Sequence, residues 1–242
     1  MKKNTRRITA IVTAAFMLLG IFAPVESVCA KAKKCTISTE DPYLAVEADV
    51  KLTGKGSGYH AKLVLAAPKS AVSLGIQYDA FARAPYTGKT MILVENVYSN
   101  NHGGQRYYRP KNISIKPGKT CHLMITLSES GYINTYYNYH KIASYRNKNL
   151  AHTKVWPRVE GCARLKNDKV NAEFKNIRVK SDIFDELDDF RAVKIDVSPR
   201  IHSRILSKSH VIISGILTGI KRNKDWDSAY DRVSGTVQYC DD

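Results

Sequence analysis

The feature that most constrains this chain is an alternation with period two. Leu44, Val46, Ala48, Val50 and Leu52 are apolar and interleave with Glu47, Asp49 and Lys51. Side chains point to opposite faces along an extended backbone, so only a β-strand buries one set and wets the other. Further strands are expected at 59–66, 71–79, 90–98, 112–116, 120–128, 132–137, 141–145, 158–165 and 170–179. Turn-forming clusters separate them: Gly54-Lys55-Gly56-Ser57-Gly58, Ala67-Pro68, Asn100-Asn101-His102-Gly103-Gly104 and Lys116-Pro117-Gly118-Lys119. Asn138-Tyr139-His140 reads as a hairpin turn with one residue in the left-handed region. No amphipathic helix competes, and 14 Tyr against 4 Met and 2 Trp suit β structure with a polar aromatic surface. The expected fold is all-β, an antiparallel two-sheet sandwich over 31–180.

The N-terminus has the three parts of a secretion signal. Lys2, Lys3, Arg6 and Arg7 precede the uncharged apolar stretch Ile8 to Ala23, and Val28-Cys29-Ala30 fits a cleavage site. Residues 1–30 are therefore expected to be a signal peptide cleaved after about Ala30, giving a secreted bacterial protein with no membrane span in the mature chain. Four cysteines remain, Cys35, Cys121, Cys162 and Cys240, which an oxidising compartment allows to form two disulfides in three connectivities. Cys121 shares parity with Leu123 and Ile125, and Cys162 with Glu160 and Arg164, so the first points inward and the second outward. That opposition argues against a Cys121–Cys162 bridge, and the lack of C-x-x-C spacing argues against zinc.

Charge divides what remains. Residues 31–180 hold 25 Lys and Arg against 10 Asp and Glu, a net of +15, whereas 181–242 hold 9 against 11, a net of −2. The seam is the acidic run Ser181 to Asp189, read as a linker or short helix. Beyond it, 210–219 and 232–239 each contain Ser-Gly followed by β-formers and are expected to pair as a C-terminal β-hairpin. Such a hairpin is too small to stand alone, so 181–242 should pack on the sandwich or offer a docking surface to a protein partner.

With these segments in place, the pattern resembles the concanavalin A-like lectin/glucanase superfamily. It looks most like the laminin-G-like and keto-disaccharide-hydrolase-like jelly rolls of secreted bacterial proteins. Leu44–Leu52 matches an opening strand and is followed by Tyr59-His60-Ala61-Lys62-Leu63-Val64-Leu65. Val159-Glu160-Gly161-Cys162-Ala163-Arg164-Leu165 then leads to the closing-strand pattern Phe174-Lys175-Asn176-Ile177-Arg178-Val179. The resemblance implies a jelly roll and carries no catalytic motif.

Glucanases of that superfamily place Glu, Asp and Glu at alternate positions of one strand. Here Glu47 and Asp49 are followed by Lys51, which cannot act as the acid, so no catalytic residue is assigned. The seven histidines show no H-x-H or H-E-x-x-H spacing and read as scattered surface residues. Asp225, Asp227 and Asp231 could offer hard oxygen ligands to Ca²⁺, in a loop that departs from the EF-hand pattern. A stronger signal is aromatic. Tyr132, Asn134, Tyr136 and Asn138 share one face of a strand, and Arg106, Tyr107 and Tyr108 sit in a basic loop. Gln77 and Asp79 share the polar parity of another strand. Phenol rings stack on the apolar faces of sugars while amides meet their hydroxyls.

The charge of the main domain attracts polyanions, and nothing resembles a base-reading nucleic-acid motif. The expectation is a non-catalytic carbohydrate-binding or cell-surface-binding protein that meets a glycan or an anionic wall polymer. Two rivals stand beside it: a keto-disaccharide-hydrolase-type enzyme using Glu47/Asp49 or Asp79/Glu95, and a structural accessory of a surface assembly.

Overall fold

The computed structural model describes residues 44–67, 70–82, 85–97, 105–108, 113, 115–163, 167–181, 190–196, 201–216 and 233–241. In chain order the strands are β1 (Leu44–Lys55), β2 (Gly58–Ala67), β3 (Ser70–Asp79), β4 (Lys89–Val97), β5 (Gln105–Tyr108), β6 (Thr120–Leu127) and β7 (Tyr132–Tyr137). They continue with β8 (His140–Arg146), β9 (Trp156–Ala163), β10 (Lys169–Ser181), β11 (Phe190–Asp196), β12 (Ile201–Ser207), β13 (His210–Ile216) and β14 (Val233–Asp241). Apart from one 3-10 turn at Lys148–Leu150, regular structure among the described residues is entirely β. None of these residues forms a helix long and apolar enough to cross a membrane.

Two seven-stranded sheets result. The first runs β12-β13-β10-β1-β6-β7-β8 and the second β11-β14-β9-β2-β3-β4-β5, with antiparallel pairing throughout. This is the antiparallel two-sheet sandwich that the alternation called for, arranged as the jelly roll that the resemblance implied. Val46, Ala48 and Val50 of β1 and Phe174 of β10 pack in one core with Leu63, Leu74 and Ile76 of the second sheet. Each of these side chains larger than alanine contributes roughly 1.5–3 kcal/mol by leaving water. Gly161 marks a close approach of the sheets, because a Cβ there would lie 2.9 Å from Ile213 and 3.2 Å from Ala172.

Turn chemistry follows the residues expected to carry it. Gly56, at φ +114°, closes the β1–β2 turn while the buried Asp168 carboxylate accepts from the backbone N–H of Ser57 and Gly58 at 2.6 and 2.9 Å. In the β7–β8 turn both Asn138 (φ 46°) and Tyr139 (φ 68°) are left-handed, one more than expected, as a two-residue turn matched to strand twist requires.

Three expectations are corrected. Segment 112–116 contributes no strand through its described residues 113, 115 and 116; the strand lies at 105–108, where a basic loop was expected. Through their described residues, 210–216 and 233–239, the segments expected at 210–219 and 232–239 do not pair with each other. Instead β13 joins β10, and β14 joins β9 in the opposite sheet. A C-terminal hairpin does form, from β12 and β13. Residues beyond 181 thus complete both sheets rather than pack on a finished sandwich, because β9 and β10 would otherwise be unpaired edges.

Cys121 is buried and faces the core, Cys162 is buried in the second sheet, and the two are not bridged. Burial, with help from the Asp49 charge, pushes the Cys121 thiol up to about 12, so it is chemically quiet.

A chain ending at Ser181 loses two strands from each sheet and strips Val211 and Ile213 from the core. It is expected to aggregate, or to lose cooperative unfolding in urea, where the full chain unfolds cooperatively; soluble, cooperative behaviour of the shortened chain would show that 182–242 is a separate appendage.

Candidate functional site

The outer face of the first sheet is organised by a bulge. Glu47 faces Arg178 and Asp49 faces Lys175, so β10 carries one extra residue there, and Asn176 sits at φ 50°. The bulge turns Asn176 outward, and its Nδ2 donates to Asp49 Oδ2 at 2.7 Å. Arg178 Nε donates to Glu47 Oε1 at 2.5 Å. Across β6, His122 stands between the two carboxylates, with Nδ1 3.0 Å from Asp49 Oδ1 and Nε2 3.5 Å from Glu47 Oε2. The Tyr139 ring stacks on this imidazole at 4.3 Å between centroids and 15° between planes. The stack is held because His122 N–H donates to Asn138 Oδ1 and Asn138 N–H returns a bond to His122 O. Tyr139 itself is 74% exposed and presents its other side to solvent.

This arrangement decides what Glu47 and Asp49 can do. Retaining glycosidases need two carboxyls about 5–5.5 Å apart with the sugar carbon between them. Here an imidazole fills the gap, and all four carboxylate oxygens lie beside His122, Asn176 or Arg178. The other candidate pair fails on distance. Ser73 faces Glu95 whereas Asp79 faces Lys89, a six-residue offset along adjacent strands, which is about 20 Å.

Beside the cluster lies the expected aromatic row. Tyr136 pairs with Met124 and Asn134 with Thr126, and Tyr132 lies under the Arg146 guanidinium at 5.1 Å. Asn134 Nδ2 donates to Thr126 Oγ1 at 3.4 Å. Burial raises the Tyr136 phenol, and a hydrogen bond to Thr126 offsets part of that rise. Tyr132, Asn134 and Tyr136 therefore share a face as expected, with the two tyrosines half-buried and Asn134 buried between them, whereas Asn138 is spent on its turn.

The second sheet differs. On its outer face Lys62 is only 5% exposed, yet its Nζ donates to Glu95 Oε2 at 2.6 Å, and Ser73 Oγ donates to the same oxygen at 2.8 Å. Gly75 makes this reach feasible, because a Cβ there would meet Lys62 Cγ at 2.5 Å. Two residues before Lys62 on β2, His60, 3% exposed, lies 3.1 Å from Glu160 Oε1 of the neighbouring strand β9. Burial, reinforced by the Lys62 charge, pushes the His60 imidazole down to about 4, so at neutral pH it donates Nε2–H as a neutral ring. Burial alone would raise Glu160, but the His60 bond and the Lys62 and Arg158 charges outweigh it and bring the carboxyl to about 2. Glu95 is likewise lifted by burial and drawn below its ordinary value by Lys62 and Ser73. Carboxylates held ionised beside a neutral histidine form a structural ion network.

The expected ligand-binding residues thus fall on two sheets. Gln77 and Asp79 lie on β3 of the second sheet, not beside the Tyr row, and both are buried. Asp79 accepts from Phe81 N–H at 2.9 Å and from Gln77 Nε2 at 3.2 Å, which holds a turn. Arg106, Tyr107 and Tyr108 belong to edge strand β5 of that same sheet. The loop with Asp225, Asp227 and Asp231 lies outside the described residues. Among the described residues no three His, Cys, Asp or Glu side chains are placed to hold a metal. The histidines are not all surface residues: His60 is buried against Glu160 and His122 is half-buried between Glu47 and Asp49, while His140, His152 and His202 are exposed. Sequence reading missed the His122–Tyr139 stack, because Tyr139 stood inside a turn and its partner lies on another strand.

No family model and no curated protein matches the chain. Solved structures do. A crystal structure of scytalido-glutamic peptidase with a transition state analog inhibitor aligns at TM-score 0.52 and 12% identity, over 73% of this chain and 94% of that one. A second, with a peptide-based transition state analog, gives 0.50 at 13% identity over the same shares, 73% and 94%. A glycoside hydrolase family 16 endo-glucanase from Bacteroides ovatus gives 0.38 at 10% identity, over 83% of this chain and 70% of that one. The peptidase alignments establish a shared fold, a two-sheet antiparallel β-sandwich, and nothing about chemistry.

The buried network sets a pH dependence. His60 has a lower pKa folded (about 4) than unfolded (6.5), and Glu160 likewise (about 2 against 4.5), so in each case the unfolded chain binds protons first on acidification. Their stabilisation is complete above about pH 6.5 and is lost as pH falls, through His60 between 6.5 and 4 and through Glu160 below that. Thermal midpoints should fall steadily from pH 7 to pH 4, with a shallower slope in His60→Gln; equal slopes would mean that His60 is not buried neutral.

Proposed function

We propose that the protein is an exported, non-catalytic glycan-binding protein of the concanavalin A-like jelly-roll kind, whose ligand lies against the outer face of the first sheet. The observation that carries this reading is the exposed ring of Tyr139 stacked on His122, beside Tyr132, Tyr136 and Asn134. Aromatic faces at this position suit the apolar faces of sugar rings, and the flanking amides and carboxylates suit their hydroxyls. The placement of Glu47 and Asp49 favours binding over hydrolysis, since the His122 imidazole stands between the two carboxyls where a sugar carbon would have to lie. Export rests on the N-terminal pattern of Lys2 to Ala30.

A glycan array of neutral and acidic oligosaccharides, probed at low and at physiological salt, tests the reading. Binding that survives salt and weakens about tenfold in Tyr139→Ala and in Tyr136→Ala is expected, the scale of one lost aromatic contact. Turnover of any bound glycan that is abolished by Glu47→Gln would replace the proposal with a hydrolase.

A further inference from the structure

At the other side of the same face, four strands turn one polar row outward. Thr53 of β1, Asn171 of β10, Ser214 of β13 and His202 of β12 follow one another in register. Next to this row Lys55 lies directly opposite Lys169, with Ile216 beyond it. Together these residues line a groove of about 810 Å³, within the size range of small-ligand sites.

The groove has an unbalanced charge. Like charges directly opposite on neighbouring strands destabilise a sheet, and Lys55 and Lys169 occupy such a position without an ion-pair partner among the described residues. The acids nearest in sequence are committed elsewhere. Asp168 accepts from the Ser57 and Gly58 N–H groups. Glu173 is tied to Lys175 and His210, each at 3.0 Å. No carboxylate is among the groove's lining residues within the described part of the chain. An anion placed between the two ammonium groups converts their repulsion into attraction, and the Thr53, Asn171, Ser214 and His202 groups around it match hydroxyls on the same molecule.

We propose that this groove is a second binding site, for the acid groups of an anionic polysaccharide, whether uronate carboxylates or sulfate esters. It does not depend on the aromatic face, which it neither includes nor requires. Steering by the net +15 of residues 31–180 brings such a polymer to the surface, and the paired lysines give it a defined seat.

The test measures binding of the purified protein to polygalacturonate, dextran sulfate and neutral dextran, with single-stranded DNA as competitor. Lys55→Glu/Lys169→Glu should weaken binding to at least one acidic polymer by about tenfold or more. Ser214→Trp, which fills the groove at unchanged charge, should cause a comparable loss. The fold loss caused by Lys55→Glu/Lys169→Glu should be the same in the parent and in a Tyr139→Ala background, which separates this site from the aromatic one. All these residues face solvent or are half-exposed, and the gentler Lys55→Gln/Lys169→Gln pair reads the same loss if the charge reversal disturbs folding. Parental affinity in Ser214→Trp would reduce the effect to diffuse charge and overturn the proposal. So would a parent that binds neither acidic polymer, or DNA that displaces both.

Discussion

The ladder between β1 and β10 is the constraint on which the rest of the structure depends. It pairs residues 44–55 with 169–181, more than a hundred positions later in the chain, across both central strands of the first sheet. Nothing local drives it; it forms because both strands carry an apolar face that only a closed sandwich can bury. Every feature on the outer surface takes its position from that register. The bulge at Glu47 and Asp49 places Asn176 and Arg178 on the two carboxylates, and the far end of the same ladder sets Lys55 against Lys169. A shift by one residue would turn both sets into the core.

The two outer faces have opposite characters. On the second sheet, Lys62, Glu95, His60 and Glu160 are withdrawn from water and satisfied by one another. Replacing one partner of such a pair strands a buried charge at a cost of about 3–5 kcal/mol, so each of these residues depends on its partner. On the first sheet, aromatic, amide and basic groups remain in contact with solvent. From the Tyr139 turn to β12, that surface crosses β6, β1, β10 and β13, about 20–25 Å at ordinary strand spacing. A chain of several sugar units is the natural length scale for it, with rings met at one side and acid groups at the other.

Much of this architecture was legible in the alternation of apolar and polar residues. The strands at 44–52, 59–66, 71–79, 120–128 and 170–179 follow from period two and from Gly, Pro and Asn at their ends. The inward aim of Cys121 and the shared face of Tyr132, Asn134 and Tyr136 follow from parity. What parity cannot read is which sheet a strand joins. Residues 210–216 and 233–241 look alike as β segments, yet the open edges of β10 and β9 draw them into different sheets. Parity also equates polar with wet, which failed at His60 and Lys62: a neutral imidazole bonded to Glu160 on the adjacent strand and an ammonium reaching across β3 to Glu95 are both buried with their partners. The Asp49–His122–Tyr139 arrangement needed three elements, a bulge and a tight turn to be known together.

The central claim, that the outer face of the first sheet is where ligand binds, is tested most directly by nuclear magnetic resonance. Amide shifts of the labelled protein would be followed during titration with an oligogalacturonate of several units. Perturbations should gather at Tyr132, Tyr136, Tyr139 and His122 on one side and at Lys55, Asn171 and Ser214 on the other. Shifts confined to the second sheet, or spread evenly over every exposed lysine, would contradict the account.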